Sequence, residues 1–167
     1  SDEDLARAAI EDILKDFKNP TEESLAPYLD GQDTSTFDEY GIDAYEFFCN
    51  CFKRLDYTVN DVAVDGDTAT ASLTITNVDL TAVVDEVTTE FGNDPDSFME
   101  GIDLSADDAI NQLMQVFFDK IYEKIDTTDQ FVTNDVTVTL TKVDGEWVMD
   151  DSCIDDLVSA MYGGIEL

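Results

Sequence analysis

The sequence predicts an α+β domain that combines an antiparallel sheet of about four strands with helices before, between and after two long β-hairpins. Residues 57–80 and 131–149 alternate apolar residues with Thr, and each stretch contains an Asp-Gly pair, which is the signature of a hairpin. The remaining segments show helical periodicity. The 167 residues, 43% of them hydrophobic, suffice for one core, so residues 1–167 are predicted to form a single domain.

Three helices are predicted before the first hairpin. Residues 2–18 carry apolar side chains at helical spacing. Thr21 is expected to cap a short second helix, which Pro27 limits or bends. Residues 31–42 are polar and predict a loop. Residues 43–55 predict a third helix, which must bury one largely aromatic face made of Tyr45, Phe48, Phe52 and Leu55.

The Thr residues of both hairpins are predicted to lie on the solvent side of a twisted sheet. Asp-Gly accepts positive φ angles, so the turns are placed at Asp65-Gly66 and at Asp144-Gly145. The opposite face of the sheet is expected to be buried. Its predicted members are Ala69, Ala71, Leu73 and Ile75 in the first hairpin and Val136, Val138 and Leu140 in the second.

Helices are also predicted between and after the hairpins. Residues 79–91 form one helix, and residues 93–104 form a loop. From Ser105 onward, apolar residues repeat at spacings of three and four and predict the clearest amphipathic helix of the chain. Residues 152–162 predict a final helix that Gly163-Gly164 closes.

The charge of the chain excludes two kinds of partner. Its 40 Asp and Glu residues against 8 Lys and Arg residues give a formal net charge of −32. Nucleic acids and anionic membrane surfaces are bound by clustered Lys and Arg, so neither is expected to bind this protein directly. The same composition would suit a protein adapted to high salt, in which screening reduces the self-repulsion of the folded chain.

Most familiar catalytic arrangements are absent from the sequence. The chain has no His, which excludes Ser-His-Asp triads, Cys-His dyads and His-ligated zinc or iron. It also has no Gly-rich phosphate-binding motif. An enzyme would need a buried Asp beside a Tyr, with the carboxylate as base, and Tyr57 and Asp79 are conceivable members of such a pair.

Three cysteines leave two interpretations open. Cys49, Cys51 and Cys153 fit a role as small buried hydrophobic residues. Alternatively, Cys153 forms one disulfide with Cys49 or Cys51 and leaves an odd thiol.

Two candidate binding sites emerge from the sequence. Aromatic residues could line a concave pocket for a small molecule, or could simply form the core, and these are Tyr45, Phe48, Tyr57, Phe117 and Trp147. Carboxylates around the start of the final helix could ligate calcium, and these are Asp150, Asp151, Asp155 and Asp156. In the competing interpretation, Asp151 or Ser152 caps that helix and the other carboxylates favour its positive end. No other cofactor is predicted.

The order of the elements, together with "VDGDTATASLTITNVDL" and "TVTLTKVDGEWVMDD", resembles the NTF2-like, cystatin-like α+β fold. The longer pattern "KRLDYTVNDVAVDGDTATASLTITNVDL" is similar to secreted bacterial lipoproteins of unknown function. The resemblance implies a curved sheet wrapped around the first helix, in a protein exported and held at the cell surface by a lipid on a cysteine upstream of this sequence. The helical segment 79–126 departs from the pattern and could fill or lid the mouth of the cone.

These observations predict a non-enzymatic, surface-anchored binding or interaction module. Its partner would be an unknown small molecule or an extracellular protein, and it would contact the membrane only through the lipid anchor. One alternative is a small-molecule carrier or enzyme that uses the interior of the cone. Another is an extracellular module stabilised by calcium.

Overall fold

The computed structural model describes residues 1–163, and residues 164–167, including Gly164 of the predicted closing pair, lie outside the described part. Its helices are α1 (Asp2–Leu14), α2 (Glu22–Leu29), α3 (Ser35–Glu39), α4 (Ala44–Phe52), α5 (Leu80–Asn93), α6 (Pro95–Met99), α7 (Ala109–Thr127) and α8 (Ile154–Met161). Its strands are β1 (Asp56–Asp65), β2 (Thr68–Val78), β3 (Phe131–Val143) and β4 (Glu146–Met149). A 3₁₀ turn, Asp151–Cys153, precedes α8. The predicted α+β class is confirmed.

The four strands form an open antiparallel sheet in the order β1-β2-β3-β4, as expected for a curved sheet packed on helices. The predicted buried face is confirmed, because buried residues of β2 lie opposite buried residues of β3: Ala69 opposite Leu140, Ala71 opposite Val138 and Leu73 opposite Val136. Helix α1 packs against β1 and β4, and α8 packs against β2 and β3. The two terminal helices therefore cover one face of the sheet.

The Thr residues of the other face are linked to one another and to neighbouring side chains. The hydroxyl oxygens of Thr76 and Thr133 are 2.9 Å apart across β2 and β3. The Thr74 hydroxyl donates to the Asp135 carboxylate at 3.0 Å and accepts from the Asn60 amide at 2.8 Å. Cross-strand pairs of this type stabilise a sheet while its outer face stays wet.

The two hairpin turns differ, and one of them departs from the prediction. In the second hairpin, Val143 pairs with Glu146, so the turn is Asp144-Gly145, and both turn residues have positive φ as predicted. In the first hairpin, Asp65 still belongs to β1 and pairs with Thr68, so the turn is Gly66-Asp67. Only Gly66 has positive φ there, which is the pattern of a type II′ turn. The second hairpin was predicted to be long, but its second strand, β4, has only four residues.

The N-terminal helices are shorter than the periodicity predicted. Helix α1 ends at Leu14 rather than at residue 18, and Asn19 adopts a positive φ before the chain enters α2. Thr21 caps α2 as predicted, since its hydroxyl accepts from the Ser24 amide at 3.0 Å. The predicted loop 31–42 contains the short helix α3.

The insertion between the hairpins contains one more helix than the sequence predicted. The predicted loop 93–104 includes α6, a five-residue helix whose Phe98 is 1% exposed. Helix α7 begins at Ala109 rather than at Ser105. The Ser105 hydroxyl donates instead to the Asp103 carboxylate at 2.6 Å, so this local bond competes with helix initiation.

A buried asparagine joins β2 to two helices. Asn77 is fully buried, and its Nδ2 donates to the backbone carbonyl of Cys51 at 3.0 Å and to that of Met161 at 2.7 Å. Its Oδ1 accepts from the Val78 amide at 2.8 Å. One polar side chain thereby satisfies a carbonyl at the end of α4 and another at the end of α8. Gly163 follows at φ +73°, where a Cβ would lie 2.9 Å from the Val78 oxygen.

Edge strand β1 contains a β-bulge. Its register against β2 shifts between Val59 and Asp61. The Arg7 guanidinium of α1 donates to the Val59 carbonyl at 2.6 Å and to the Asn60 carbonyl at 3.2 Å. The bulged backbone is therefore satisfied by a side chain of the helix packed beside it.

Candidate functional site

An apolar cavity of about 620 Å³ lies between α4, α5, α7 and the end of α8, and we call it the helical cavity. Of the twelve lining side chains within residues 1–163, ten are apolar or aromatic, and Thr81 and Asp85 are the others. The apolar residues are Phe47, Phe48, Cys51, Leu80, Val84, Phe117, Phe118, Ile121, Ile125 and Tyr162. The volume is within the range of roughly 300–1,000 Å³ that is typical of small-molecule sites.

The cavity has a buried floor and an exposed mouth. Cys51, Leu80 and Ile125 are at most 6% exposed and form the floor. Thr81, Val84 and Asp85 are exposed and lie on consecutive turns of α5. An incoming molecule would therefore pass α5 and meet α4 and α7. The insertion 79–126, predicted to fill or lid a cone, contributes the walls formed by α5 and α7.

Aromatic rings of three helices form a continuous cluster beside the cavity. Phe47 is 5.1 Å from Phe37, 5.1 Å from Phe48 and 5.7 Å from Phe118, measured between ring centroids. Phe118 in turn lies 6.4 Å from Phe117. Tilted and edge-to-face contacts of this kind stabilise the packing of α3, α4 and α7 beyond simple burial.

Two ionisable groups in the cavity wall are held in their neutral forms. Burial raises the pKa of the Cys51 thiol from its usual value of 9.0 to about 12. Burial, with a smaller contribution from Cys51, also raises the pKa of the Tyr162 hydroxyl well above its usual value. Cys51 and Tyr162 therefore contribute no thiolate or phenolate to the wall near neutral pH, and this part of the wall suits an apolar ligand.

We expect the stability of the protein to fall as the pH rises from about 9 towards 12. The folded-state pKa of Cys51 is raised, so its contribution is fully present below the pKa of the unfolded thiol and is lost as the pH passes through about 12. Urea unfolding at a series of pH values measures this decline in stability, and Cys51→Ala should reduce it.

In native protein at pH 9, Cys51 should react with iodoacetamide more slowly than the partly exposed Cys49. Faster alkylation of Cys51 would contradict the prediction.

A second cavity of about 500 Å³ lies on the other side of Phe48 and Tyr162, which line both spaces. Its walls come from α2, α4, α8 and the segment around α3, and they include Gln32 and Asp33. The two rings that separate the cavities have centroids 6.4 Å apart. Apolar space therefore extends on both sides of the Phe48–Tyr162 contact.

The structure brings together two of the five aromatic residues predicted to line a pocket. Phe48 and Phe117 line the helical cavity. The Tyr45 hydroxyl instead donates to the Asp30 carboxylate. Tyr57 lies on β1, with the Lys18 ammonium 5.9 Å from its ring centroid. Trp147 is 8% exposed on β4, which packs against α1, and the Lys142 ammonium lies 5.7 Å from its ring.

The sequence interpretation missed most of the cavity walls. Phe47 and Phe118 each adjoin a predicted pocket residue in the sequence. These Phe-Phe pairs could have indicated the cavity, because two adjacent bulky residues make the apolar face of a helix wider than packing against one neighbour requires. Leu80, Val84 and Tyr162 come from elements that the sequence does not link to α4 or α7. No spacing in the chain identifies them.

The four carboxylates proposed as calcium ligands are not gathered into one cluster. Asp150 accepts a hydrogen bond of 2.8 Å from the Thr141 hydroxyl, whereas Asp151, Asp155 and Asp156 are exposed. Within residues 1–163, no group of three or more His, Cys, Asp or Glu side chains is arranged to hold a metal ion. The calcium hypothesis stays a prediction from the sequence.

The competing interpretation of this segment, that Asp151 or Ser152 caps the final helix, was wrong. Cys153 occupies the N-cap position of α8, and no side chain makes the capping bond there. Both candidate residues belong instead to the 3₁₀ turn that precedes α8.

The conceivable Tyr-Asp pair of an enzyme is not part of the cavity. The Asp79 carboxylate caps α5 and accepts from the Ala82 amide at 3.0 Å, and Tyr57 lies beside Lys18 on β1. All three cysteines fall within the described residues and are free thiols, with Cys51 and Cys153 buried. The interpretation of these two residues as small hydrophobic core residues agrees with the structure.

Comparisons with known proteins identify a family but no activity. Among curated proteins, none matches this chain. A similar solved structure is the crystal structure of a candidate lipoprotein (ycdA) from Bacillus subtilis subsp. subtilis strain 168, which is 18% identical with a TM-score of 0.49. The alignment covers 75% of this chain and 42% of that one, so this chain spans less than half of its length. Across residues 1–163, no helix is long and apolar enough to cross a bilayer.

One family model matches almost the whole described chain. The match extends over residues 3–162, from the first turn of α1 to the residue after α8. It therefore includes every element that lines the helical cavity. The chain belongs to the DUF5105 family, which is defined by a domain of unknown function.

Proposed function

We propose that this protein is a non-enzymatic binding module that takes an apolar small molecule into the helical cavity. The observation that carries the proposal is the cavity itself, which offers about 620 Å³ between α4, α5, α7 and the end of α8. Among the described lining residues, only Thr81 and Asp85 are polar. Concave, largely apolar spaces with a few polar groups at one side are the usual form of small-molecule sites. Of the functions that the sequence suggested, this supports small-molecule binding over docking of a macromolecule.

The chemistry of the walls supports binding rather than catalysis. A general base needs a pKa near the working pH and a place within hydrogen-bond reach of the substrate. Cys51 and Tyr162, the ionisable wall residues with perturbed pKa values, are shifted away from neutral pH. The absence of His from the whole chain removes the commonest proton carrier.

We also propose that the protein is exported and held at the cell surface by a lipid anchor. The proposal rests on the similarity of the first hairpin to secreted lipoproteins. We likewise propose, from sequence resemblance, that the fold is related to the NTF2-like, cystatin-like proteins. Exposure to added protease on intact cells, compared with a cytosolic marker protein, tests the location. Protection of this protein together with the marker would overturn it.

Nile red, a neutral dye whose emission rises in apolar surroundings, is the probe for the proposed cavity. Wild-type protein is expected to bind the dye with a saturable increase in emission. Val84→Trp should weaken this binding by at least about tenfold, because Val84 is 41% exposed at the mouth and the larger ring can enter the cavity without overpacking the core.

Val148→Trp is the matched control for this experiment. Val148 is 50% exposed on β4, and it receives the same substitution away from the cavity. This variant should bind the dye as wild type does, and both variants should keep the wild-type melting temperature within a few degrees. Absence of saturable dye binding to wild-type protein, or equal weakening by both substitutions, would refute the proposed function.

A further inference from the structure

The helical cavity has an electrostatic character that specifies its ligand more closely than apolar binding alone. We infer that the cavity accepts a cationic amphiphile, a molecule with an apolar body and one positively charged head group. The inference rests on the proposed function and adds the sign of the charge on the head group. It follows from the mouth of the cavity, its aromatic walls and the position of the basic residues around it.

The mouth offers acidic and neutral oxygen atoms to a head group. Asp85 lines the cavity at its exposed side, with the Thr81 hydroxyl one turn earlier on α5. Asp85 also borders a shallow groove along the same helix, together with Glu86 and Glu90. A positive head group that remained near the mouth would lie beside a carboxylate and close to water, which is the least unfavourable place for a charge.

Among residues 1–163, no Lys or Arg side chain lines the cavity to receive an anion. The basic residues of the neighbouring helices are engaged elsewhere. The Lys124 ammonium lies 3.2 Å from the Glu90 carboxylate and 3.5 Å from that of Glu86. The Lys53 ammonium lies 2.7 Å from the Asp126 carboxylate, and that of Lys120 lies 4.7 Å from the Phe98 ring centroid. The carboxylate of a fatty acid would therefore meet Asp85 without a compensating cation.

The aromatic walls favour the same sign of charge. Phe47, Phe48, Phe117, Phe118 and Tyr162 all line the cavity. The faces of aromatic rings carry negative electrostatic potential and attract ammonium groups within about 6 Å. The formal net charge of −32 adds a long-range attraction for cations, which salt screens over about 10 Å.

The test is displacement of bound Nile red by three ligands that each have ten carbon atoms and differ in head group: decylammonium, decanol and decanoate. Near pH 7 and at roughly physiological ionic strength, decylammonium should displace the dye at about a tenfold lower concentration than decanoate. Decanol should fall between them. The alkyl chain of decanoate is one methylene shorter, which accounts for about a fourfold difference in concentration, so a tenfold preference reports the head group.

Two exposed carboxylates provide the matched comparison. Asp85→Asn and Asp96→Asn each remove one negative charge, but only Asp85 lines the helical cavity. Asp85→Asn should reduce the preference for decylammonium over decanoate about threefold, and Asp96→Asn should leave it unchanged. Thr81→Lys, which places a cation at the mouth, should shift the preference towards decanoate.

The outcomes separate this inference from the function on which it rests. Saturable dye binding with no preference among the three ligands, or with a preference for decanoate, would overturn the inference and leave the apolar cavity in place. A preference that Asp85→Asn and Asp96→Asn reduce equally would also overturn it, because it would report the net charge of the protein. Failure of Nile red to bind would overturn both.

Discussion

Asn77→Asp is expected to lower the free energy of unfolding by about 3–5 kcal/mol near pH 7. Asn77 is fully buried, and its Nδ2 donates to the carbonyls of Cys51 and Met161. The substitution replaces this double donor by a carboxylate oxygen of almost the same size. A buried carboxylate would then face two carbonyl oxygens, and both contacts would become repulsive.

The pH dependence of this loss identifies its cause. Burial and the two carbonyls should raise the pKa of the new carboxyl group above its value in the unfolded chain. The variant should therefore be most stable at a pH where this group is protonated, and it should lose stability as the pH rises. The gap from wild type in urea unfolding should therefore narrow near pH 4, although a carboxyl hydroxyl can serve only one of the two carbonyls.

Asn60→Asp is the control for this substitution. Asn60 is exposed, and its amide donates to the Thr74 hydroxyl at 2.8 Å, so the same exchange of groups takes place in contact with water. Its effect should stay within about 0.5 kcal/mol. Equal losses in the two variants would show that added negative charge, rather than the connection through Asn77, governs the stability of the fold.

Phe98→Ala should lower the free energy of unfolding by about 3–5 kcal/mol. Phe98 is the buried residue of the five-residue helix α6 and is 1% exposed. Its ring centroid lies 5.2 Å from that of Phe91 on α5 and 6.1 Å from that of Phe117 on α7. Removing the ring leaves a void between three helices, and it also frees Phe117, which lines the helical cavity.

Leu104→Ala is the comparison for this truncation, because Leu104 follows α6 but is 66% exposed. Thermal and urea unfolding should place this variant within about 0.5 kcal/mol of wild type. A loss below about 1 kcal/mol for Phe98→Ala would mean that α6 detaches without disturbing the rest of the protein. Nile red binding to Phe98→Ala then measures whether the cavity depends on this support.

The sheet and the longer helices were predictable because their patterns repeat. Ala69, Ala71 and Leu73 alternate with polar residues, and the structure buries them as the period of two requires. Helices α3 and α6 have only five residues each, which is too short for a periodic pattern. Helix α6 is held by burial of the Phe98 ring, whereas α3 has no buried residue. Polar composition therefore led to the prediction of loops at both places.

The cavity was only partly predictable, because its walls come from four separate elements. Phe48 and Phe117 were identified from their own helices, but Val84 and Tyr162 reach the same space only through tertiary packing. Asn77 was hidden for a different reason. The period of two places it on the buried face with Ile75, but an amide side chain argues against burial. Only the carbonyls at the ends of α4 and α8, which tertiary packing brings to it, make its burial favourable.

The bulge in β1 also affects whether copies of this protein can pair through the edges of their sheets at high concentration. A strand that joined this edge of the sheet would have to straighten the bulge and displace the Arg7 guanidinium from the carbonyls of Val59 and Asn60. It would also bring its own acidic residues against Asp61 and Asp65, which are exposed. The opposite edge strand, β4, offers only four residues to pair with. The fold therefore resists growth into aggregates through its sheet edges, and concentrated molecules can remain separate.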